Sequence, residues 1–248
     1  MKLRSVLYRL FAFLICLMLG VMLFRGVAAL DQAVSVKGPA AHYLARTPSE
    51  TGAQNVVAAI LFDYRAFDTL GETTVIFTAV CGIAMLFSRR KLRRSSRGLS
   101  FIAKRGTGMI IPFILLYASA IVMRGHLSPG GGFQGGTIFA TVTVLLCVVY
   151  GSAFESSYIP MKTKDLMEST GALLFTGIGL VGLMTGAGFL ANLAAGFPPG
   201  QEGSFLSAGS IPILNIAVGI KVGAGLSTIF YSMIKILEVR PDSHDGRM

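Results

Sequence analysis

Long apolar runs separated by short polar segments dominate this sequence. A helix needs about 20 apolar residues to cross the hydrocarbon core of a bilayer. Six runs approach that length, at residues 7–30, 73–87, 107–123, 133–154, 167–190 and 211–236. The pattern predicts an all-α integral membrane protein with about six transmembrane helices, two followed by four, and a glycine-rich loop before the fourth.

Composition supports this class of protein. Hydrophobic residues make up 53% of the 248 residues and charged residues only 14%, and the mean hydropathy is +0.67. A water-soluble domain of ordinary composition carries about 25% charged residues. The chain is therefore predicted to lie in a membrane rather than in water.

The net charge of +10 is concentrated in one short segment. Residues 89–105 contain no acidic residue and eight basic ones: Arg89, Arg90, Lys91, Arg93, Arg94, Arg97, Lys104 and Arg105. Cytoplasmic loops of membrane proteins are enriched in Lys and Arg. We predict a multi-pass protein of the inner (plasma) membrane with both termini in the cytoplasm. A basic segment between apolar runs indicates a membrane anchor, and binding to nucleic acid is not expected.

The basic segment also divides the chain into modules. We predict a two-span module at residues 1–88, a cytoplasmic linker at 89–106, a four-span module at 107–240 and a tail at 241–248. Lys2, Arg4 and Arg9 precede the first apolar run, as they would in a secretory signal. We interpret that run as an uncleaved anchor, with a cleaved signal as the alternative.

Charged residues precede the second apolar run. Residues 55–87 would form a helix of about 50 Å, longer than a membrane core of about 30 Å, so we predict a break at Gly71. Arg65, Asp68 and Glu72 have the spacing i, i+3 and i+7 of one helical stripe. They form either a charge network that seats the helix against a neighbour, or an ion path in which Glu72 exchanges protons or contacts a cation.

A glycine-rich segment lies before the fourth run. Residues 124–136 read RGHLSPGGGFQGG, with five glycines among the seven residues from Gly130. We predict a non-helical, close-packed re-entry into the membrane. A phosphate site is not expected, because no Gly-Lys-Ser/Thr follows. His126 is either a group that titrates near neutral pH or a structural hydrogen-bonding residue.

Lys221 is the most informative single residue. It lies ten residues into the last apolar run, about 15 Å from the start of the run by helical rise. Lysine at that depth costs about 2.5–3.5 kcal/mol on insertion scales, so its side chain should face protein or water. It is either a titratable site on an ion path or a Lys capped by carbonyls or by a partner's carboxylate for assembly alone.

Glycine pairs in the last two runs predict packing surfaces. Gly182 and Gly186, like Gly219 and Gly223, have the spacing of two small residues four apart that allows helices to approach closely. Flat surfaces of this kind fit a subunit that packs against other helices, within the chain or in partners.

The cysteines do not indicate a cofactor. Cys16, Cys81 and Cys147 lie far apart in apolar stretches, without a C-x-x-C motif or a nearby His. This spacing argues against an iron–sulfur cluster, a zinc site and a disulfide framework. We predict packing roles for the cysteines and no redox cofactor or metal in this chain.

Two motifs resemble those of a known family. Residues 62–72, FDYRAFDTLGE, resemble the stretch near the C-terminal end of the large A-type subunit of Mrp-type multisubunit Na+/H+ antiporters, and the equivalent small subunit of membrane-bound hydrogenases. Residues 125–136, GHLSPGGGFQGG, resemble the signature of the B-type subunit of the same antiporters. With the four-span pattern of the second half, the resemblance covers roughly residues 55–240.

The resemblance implies a non-enzymatic membrane subunit that works beside large proton-pumping subunits. It singles out Asp68 and Glu72 in the first motif and His126 in the second. The segment around Lys221 is more similar to the hydrogenase-type proteins. The remaining motif residues are Arg65, Pro129, Gly130, Gly131, Gly132, Gln134, Gly135 and Gly136.

Three functions are compatible with the sequence. The first is a subunit that contributes to Na+ or H+ translocation in an Mrp-like module, either a stand-alone antiporter or part of a hydrogenase-related respiratory complex. The second is a scaffold that holds larger pumping subunits together without conducting ions. The third is an independent small transporter. The first two require other membrane subunits as partners.

Overall fold

The computed structural model describes residues 2–29, 37–87 and 98–237, and all regular structure within them is helical. Residues 1–42 and 43–248 form two compact units. The first unit contains α1 (Lys2–Ala29), and α2 (Pro39–Thr51) begins in it and continues into the second. The prediction of an all-α protein is confirmed.

The second unit contains the remaining helices in short succession. They are α3 (Val56–Ala59), a π-helical turn (Ile60–Tyr64), α4 (Ala66–Phe87), α5 (Phe101–Met123), α6 (Gly132–Tyr150), α7 (Ser152–Tyr158), α8 (Met161–Met184), a 3-10 turn (Leu193–Ala195) and α9 (Ile211–Leu237). The predicted linker at residues 89–106 overlaps α5, which begins at Phe101. Residues 89–97 and the predicted tail lie outside the described residues.

Five helices in the described part of the chain are long and apolar enough to cross a membrane: α4, α5, α6, α8 and α9. They correspond to the second to sixth predicted runs. The first run forms α1, whose apolar stretch Leu10–Gly26 is shorter than the other five. The fifth run was predicted to extend to residue 190, but α8 ends at Met184.

The predicted break at Gly71 is wrong. Gly71 lies inside α4, and the chain instead departs from α-helix in the π-helical turn before it. Arg65 ends that turn with φ −132°, and its amide donates to Ile60 O at 2.8 Å. Thr69 Oγ1 donates to Leu61 O at 2.5 Å, so a side chain satisfies a carbonyl of the widened turn.

The glycine-rich segment is only partly a loop. Gly130 and Gly131 have φ of +141° and +144°, which favour glycine. The helix α6 begins at Gly132, so the expectation of a non-helical segment up to residue 136 is wrong. A Cβ at Gly136 would lie 2.8 Å from Gly219 O, and one at Gly135 would collide with Val122. These glycines therefore let α6 pack directly against α9 and α5.

The helix α9 is the centre of the bundle, with 67% of its spanning segment buried. Gly223 faces α6, and Gly219 lies against Val122 of α5 and Gly132 of α6, which confirms the packing role predicted for this pair. Gly182 and Gly186 do not form such a pair, because α8 ends at Met184 and Gly186 lies in the following turn with φ +76°.

The loops gather at two ends of the second unit. At one end, Asn55 Nδ2 donates to Gly125 O at 2.7 Å and to Ser128 O at 2.9 Å. At the other end, Tyr150 Oη donates to Lys104 O at 2.6 Å. Which of these two ends faces the cytoplasm stays a prediction.

Candidate functional site

Lys221 is buried in the bundle, at the position along its helix that the sequence indicates. It lies ten residues after the start of α9, and 4% of the residue is exposed. Its ammonium lies 3.7 Å from Glu168 Oε1 on α8. The burial of an ammonium inside an apolar helix is thus accompanied by an opposite charge, as physical chemistry requires at that depth.

Glu168 belongs to the buried stripe of α8. Lys164, Glu168, Gly171 and Phe175 are buried at spacings of four, three and four residues, while the residues between them face outward. Among the described residues, Glu168 Oε1 accepts no hydrogen bond. The carboxylate therefore relies on the charge of Lys221, 3.7 Å away.

The Lys221 side chain opens onto a cleft between α4 and α8. The cleft has a volume of about 170 Å³, and Lys221 is the charged residue in its lining. The Lys221 ammonium also lies 5.1 Å from the centroid of the Phe77 ring, a cation–π distance. A Cβ at Gly171 would lie 2.8 Å from Lys221 Cβ, so this glycine lets α8 approach α9 next to the charged pair. The other lining residues are Leu70, Thr73, Thr74, Phe77, Ala172, Phe175 and Thr176.

A second buried pair joins α7 to α8. Lys164 Nζ lies 2.6 Å from Glu155 Oε1, with 2% and 0% of the two side chains exposed. The ammonium also lies 4.3 Å from the centroid of the Tyr231 ring on α9. Burial raises the pKa of the Glu155 carboxyl, and the neighbouring Lys164 opposes this rise in pKa.

Sequence reasoning did not find Glu155, Lys164 or Glu168 as site residues. Glu155 and Lys164 lie between the fourth and fifth predicted runs, and Glu168 lies at the start of the fifth. The available signal was the spacing of Lys164 and Glu168, which places a base and an acid one turn apart on the same face of α8 as Gly171 and Phe175. Their partners come from other helices and required the fold.

Asp68 and Glu72 lie on the exposed face of α4. Arg65 precedes this helix, and its guanidinium pairs with Asp68 at 2.5 Å, where both side chains are at least half exposed. Among the described residues, Lys221 forms its ion pair with Glu168 and not with Glu72. The two predicted acids and Lys221 therefore lie on different faces, separated by the body of α4.

His126 connects the glycine-rich loop to two other segments. Its ring is buried, and Nε2 lies 3.4 Å from Ser204 O. Its carbonyl accepts from the amides of Gln54 at 3.1 Å and Asn55 at 3.0 Å. Burial lowers the pKa of His126, which disfavours the imidazolium. The geometry matches the structural interpretation of this residue.

The other residues of the glycine-rich motif serve the packing of α6. Asn215 Oδ1 of α9 accepts from Gly132 N at 2.9 Å and so satisfies an amide at the start of α6. Pro129 and Gln134 are exposed. The motif therefore builds a helix start and its contact with α9.

Asn192 forms a polar cluster that the sequence did not reveal. It is buried, donates to Asp63 Oδ2 at 3.2 Å and accepts from the amide of Ser210 at 2.8 Å. Burial raises the pKa of Asp63. The hydrogen bond from Asn192 opposes this rise in pKa, and the negative charge of Glu50 adds to it. Burial and a hydrogen bond to Glu50 at 2.7 Å raise the pKa of Tyr64 to about 12. The cluster ties the π-helical turn to the start of α9.

Two family descriptions match adjoining parts of the chain. Residues 102–228 match a domain related to the MnhB subunit of Na+/H+ antiporters. Residues 9–105 match MbhE, the E-type subunit of MBH. Both parts of the resemblance found in the sequence are thus confirmed.

Curated proteins of three organisms are similar to parts of this chain. An uncharacterized protein of Methanocaldococcus jannaschii, MJ1307, is 35% identical over 198 residues, which are 70% of this chain and 74% of the relative. A probable A/B-type subunit of a K+/H+ antiporter of Rhizobium meliloti is 27% identical over 62% of this chain, but the match spans 18% of that protein. The B-type subunit of the Na+/H+ antiporter of Bacillus subtilis is 32% identical over 37% of this chain and 63% of its own length.

Two solved structures share the architecture. A chain of the membrane-bound sulfane sulfur reductase, an archaeal respiratory membrane complex, is similar with a TM-score of 0.74 and 35% identity over 92% of this chain and 98% of that one. A chain of the Mrp complex from Dietzia sp. shares the fold, with a TM-score of 0.64 and 21% identity over 96% of this chain and 26% of that one. The chain is a multi-pass membrane protein that belongs to the family of domains related to the MnhB subunit of Na+/H+ antiporters.

Proposed function

We propose that this protein is a membrane subunit of a larger Mrp-like complex and that it contributes to the translocation of Na+ or H+ at the Lys221–Glu168 pair. The observation that carries the proposal is a buried ion pair inside the helix bundle, with its ammonium in the lining of a cleft. Ionisable groups inside membrane proteins are costly and mark ion or proton paths. The antiporter subunits among the relatives support the same function.

The chemistry of the pair suits a transient ion site. A contact of 3.7 Å is longer than a hydrogen bond, so the two charges attract each other without being locked together. A cation that approaches Glu168 competes with the Lys221 ammonium for the carboxylate. A proton that binds the carboxylate removes its charge and so releases the ammonium. Either event frees Lys221 to move within the cleft.

Asp68 and Glu72 extend the proposed route to the outer surface of α4. Both are exposed on a helix that is apolar enough to cross a membrane. Carboxylates on such a face seldom contact lipid. They face a neighbouring subunit of the complex and continue the ion route there, while Arg65 holds Asp68 in place. His126 acts beside the route by fixing the loop before α6.

The setting of the subunit follows from the same proposal. It performs no chemical catalysis of its own and has both termini in the cytoplasm. The two modules predicted from the sequence act in one chain, in agreement with family matches that meet near residues 102–105. A respiratory complex is the parent assembly, since a chain of one is similar over nearly its full length.

The test uses the complete complex in inverted membrane vesicles. Lys221→Ala and Glu168→Gln are expected to leave the complex assembled and to reduce cation-driven proton movement at least tenfold. The matched control is Lys162→Ala, which removes an exposed charge from the same helix as Glu168. Assembly is measured by copurification of the other subunits.

Two outcomes would count against the proposal. Normal transport by an assembled Lys221→Ala complex would remove the residue from the ion path. Loss of assembly in both variants, with an intact Lys162→Ala control, would favour the scaffold function.

A further inference from the structure

We propose that Glu155 and Lys164 form a second site of the same route, at which a proton is exchanged between the Glu168–Lys221 pair and the end of the bundle where α7 lies. This inference rests on the proposed function. The geometry that carries it is a row of four buried charges of alternating sign, in the order Glu155, Lys164, Glu168 and Lys221.

The row is continuous in space. Lys164 lies 2.6 Å from Glu155, and Glu168 lies 3.7 Å from Lys221. Lys164 and Glu168 connect the two pairs, because residues four apart on a helix have Cβ atoms about 5–6 Å apart on one face. Each of the four residues is at least 95% buried. The four charged groups therefore form one buried row inside the protein, with a direct contact of hydrogen-bond length between Glu155 and Lys164.

Structural need alone does not account for two such pairs. A buried ion pair contributes little net stability, because removing two charges from water offsets their attraction. The same helix carries Lys162 and Asp165 on its exposed side. Outward placement was thus available to charges in this part of α8, and Lys164 and Glu168 are nevertheless both buried.

The outer end of the row lies next to the exposed end of the bundle: Glu155 is itself buried, and Ser157 and Tyr158 just after it are exposed. Gly151, with φ +96°, ends α6 and starts α7, so Glu155 lies beyond the spanning part of α6. The short helix α7 turns Glu155 back toward the bundle. Burial raises the pKa of this carboxyl, which makes uptake of a proton easier than for an exposed glutamate.

Proton transfer between Lys164 and Glu155 leaves the total charge of the pair unchanged. The Lys164 ammonium gives a proton to the Glu155 carboxylate, which leaves a neutral amine and a carboxylic acid. Lys221 gives a proton to the Glu168 carboxylate and is itself reprotonated from the cleft. Glu168 passes this proton to the Lys164 amine, and Glu155 releases its own proton at the end of the bundle. The contact of 3.7 Å between Glu168 and Lys221 needs a bridging water or a closer approach for its own transfer.

The test neutralises the outer pair as a unit. The double variant Glu155→Gln/Lys164→Met keeps the side-chain volumes nearly constant and leaves no buried charge without its partner. In vesicles that contain the complete complex, we expect normal copurification of subunits and at least a tenfold loss of proton movement driven by an imposed Na+ gradient. The control is Lys162→Met/Asp165→Asn, which removes a base and an acid from the exposed side of α8 and should transport normally.

A second variant separates proton exchange from ion pairing. Lys164→Arg keeps the positive charge next to Glu155 but does not release a proton. Proton exchange predicts that this variant assembles and is impaired, whereas a purely structural pair predicts normal transport.

The outcomes distinguish this inference from the proposed function. Normal transport in the double variant, or in Lys164→Arg, together with loss in Lys221→Ala, would overturn the second site and leave the first standing. Normal transport in Lys221→Ala would instead overturn the proposed function. Failure of both outer-pair variants to assemble, with an intact control, would assign Glu155 and Lys164 to structure and also overturn the inference.

Discussion

The Lys221–Glu168 pair allows a quantitative prediction about stability. With 5% and 7% of the two side chains exposed, water screens little of their interaction. Removing one partner leaves the other charge buried and alone, which costs about 3–5 kcal/mol in measured cases. The contact is 3.7 Å long, and Glu168 Oε1 accepts no hydrogen bond from the described residues. We therefore expect Lys221→Met and Glu168→Leu each to lower the free energy of unfolding by about 3 kcal/mol, near the lower end of that range.

The double variant should behave differently from the sum of its parts. Replacing both charges by apolar side chains of similar size removes the desolvation cost together with the attraction, and such replacements are neutral or stabilising. Lys221→Met/Glu168→Leu should therefore lie within about 1 kcal/mol of the wild type or above it. The coupling energy between the two substitutions should reach several kcal/mol.

The assay is the thermal midpoint of the purified complex, measured for the four members of this double-mutant cycle. The matched control is the pair Arg46–Glu50, which has nearly the same length of 3.8 Å but side chains that are 66% and 34% exposed. Its coupling energy should not exceed about 1 kcal/mol. Additive effects at Lys221 and Glu168, or equal coupling in both cycles, would refute the reasoning.

Three further predictions concern packing, pH and topology. Gly135→Ala should destabilise the complex by about 1–3 kcal/mol, because the added Cβ has no room against α5, while Gly177→Ala, with open space around it, should not; equal midpoints would contradict this. Asp63→Asn should raise the thermal midpoint at neutral pH, because burial raises the pKa of Asp63 and the wild type loses stability as the pH rises above its ordinary value of 3.8. That advantage should shrink toward pH 3.8, and a constant difference would count against it. A cysteine introduced at Ser96 should not react with a membrane-impermeant reagent added to intact cells, because the basic linker is predicted to lie in the cytoplasm. Labelling from outside would contradict this topology.

The sequence predicts the helical bundle well because its signal is local. Apolar runs of about 20 residues identify the spanning helices, since a bilayer demands that length from each one. The break before α4 was misplaced because its cause is not local. Thr69 Oγ1 donates to the carbonyl of Leu61, eight residues earlier. Gly71 has open space around it, so a helix continues through this position without a steric clash.

The candidate site was predicted only in part for a similar reason. Lys221 stands out because one charge in a long apolar run has to be accommodated by something. Its partner Glu168 lies near the polar start of α8, where other charged residues lie nearby and one more does not stand out in the sequence. Only the antiparallel packing of α8 on α9 brings the two together, and the same packing places Lys164 beside Tyr231.

The direct contact of α6 with α9 has a consequence for leakage. Gly136 and Gly219 leave no gap between the two backbones, and the polar pair farther along this contact, Thr143 and Ser227, is closed by its own hydrogen bond of 3.0 Å. At these positions the two helices are therefore in direct contact, and their polar side chains bond to each other. The charged side chains lie on its opposite side, toward α8 and α4. In the proposed function, the ion route therefore follows one side of α9, while the direct contact with α6 closes the other side, as a membrane that holds an ion gradient requires.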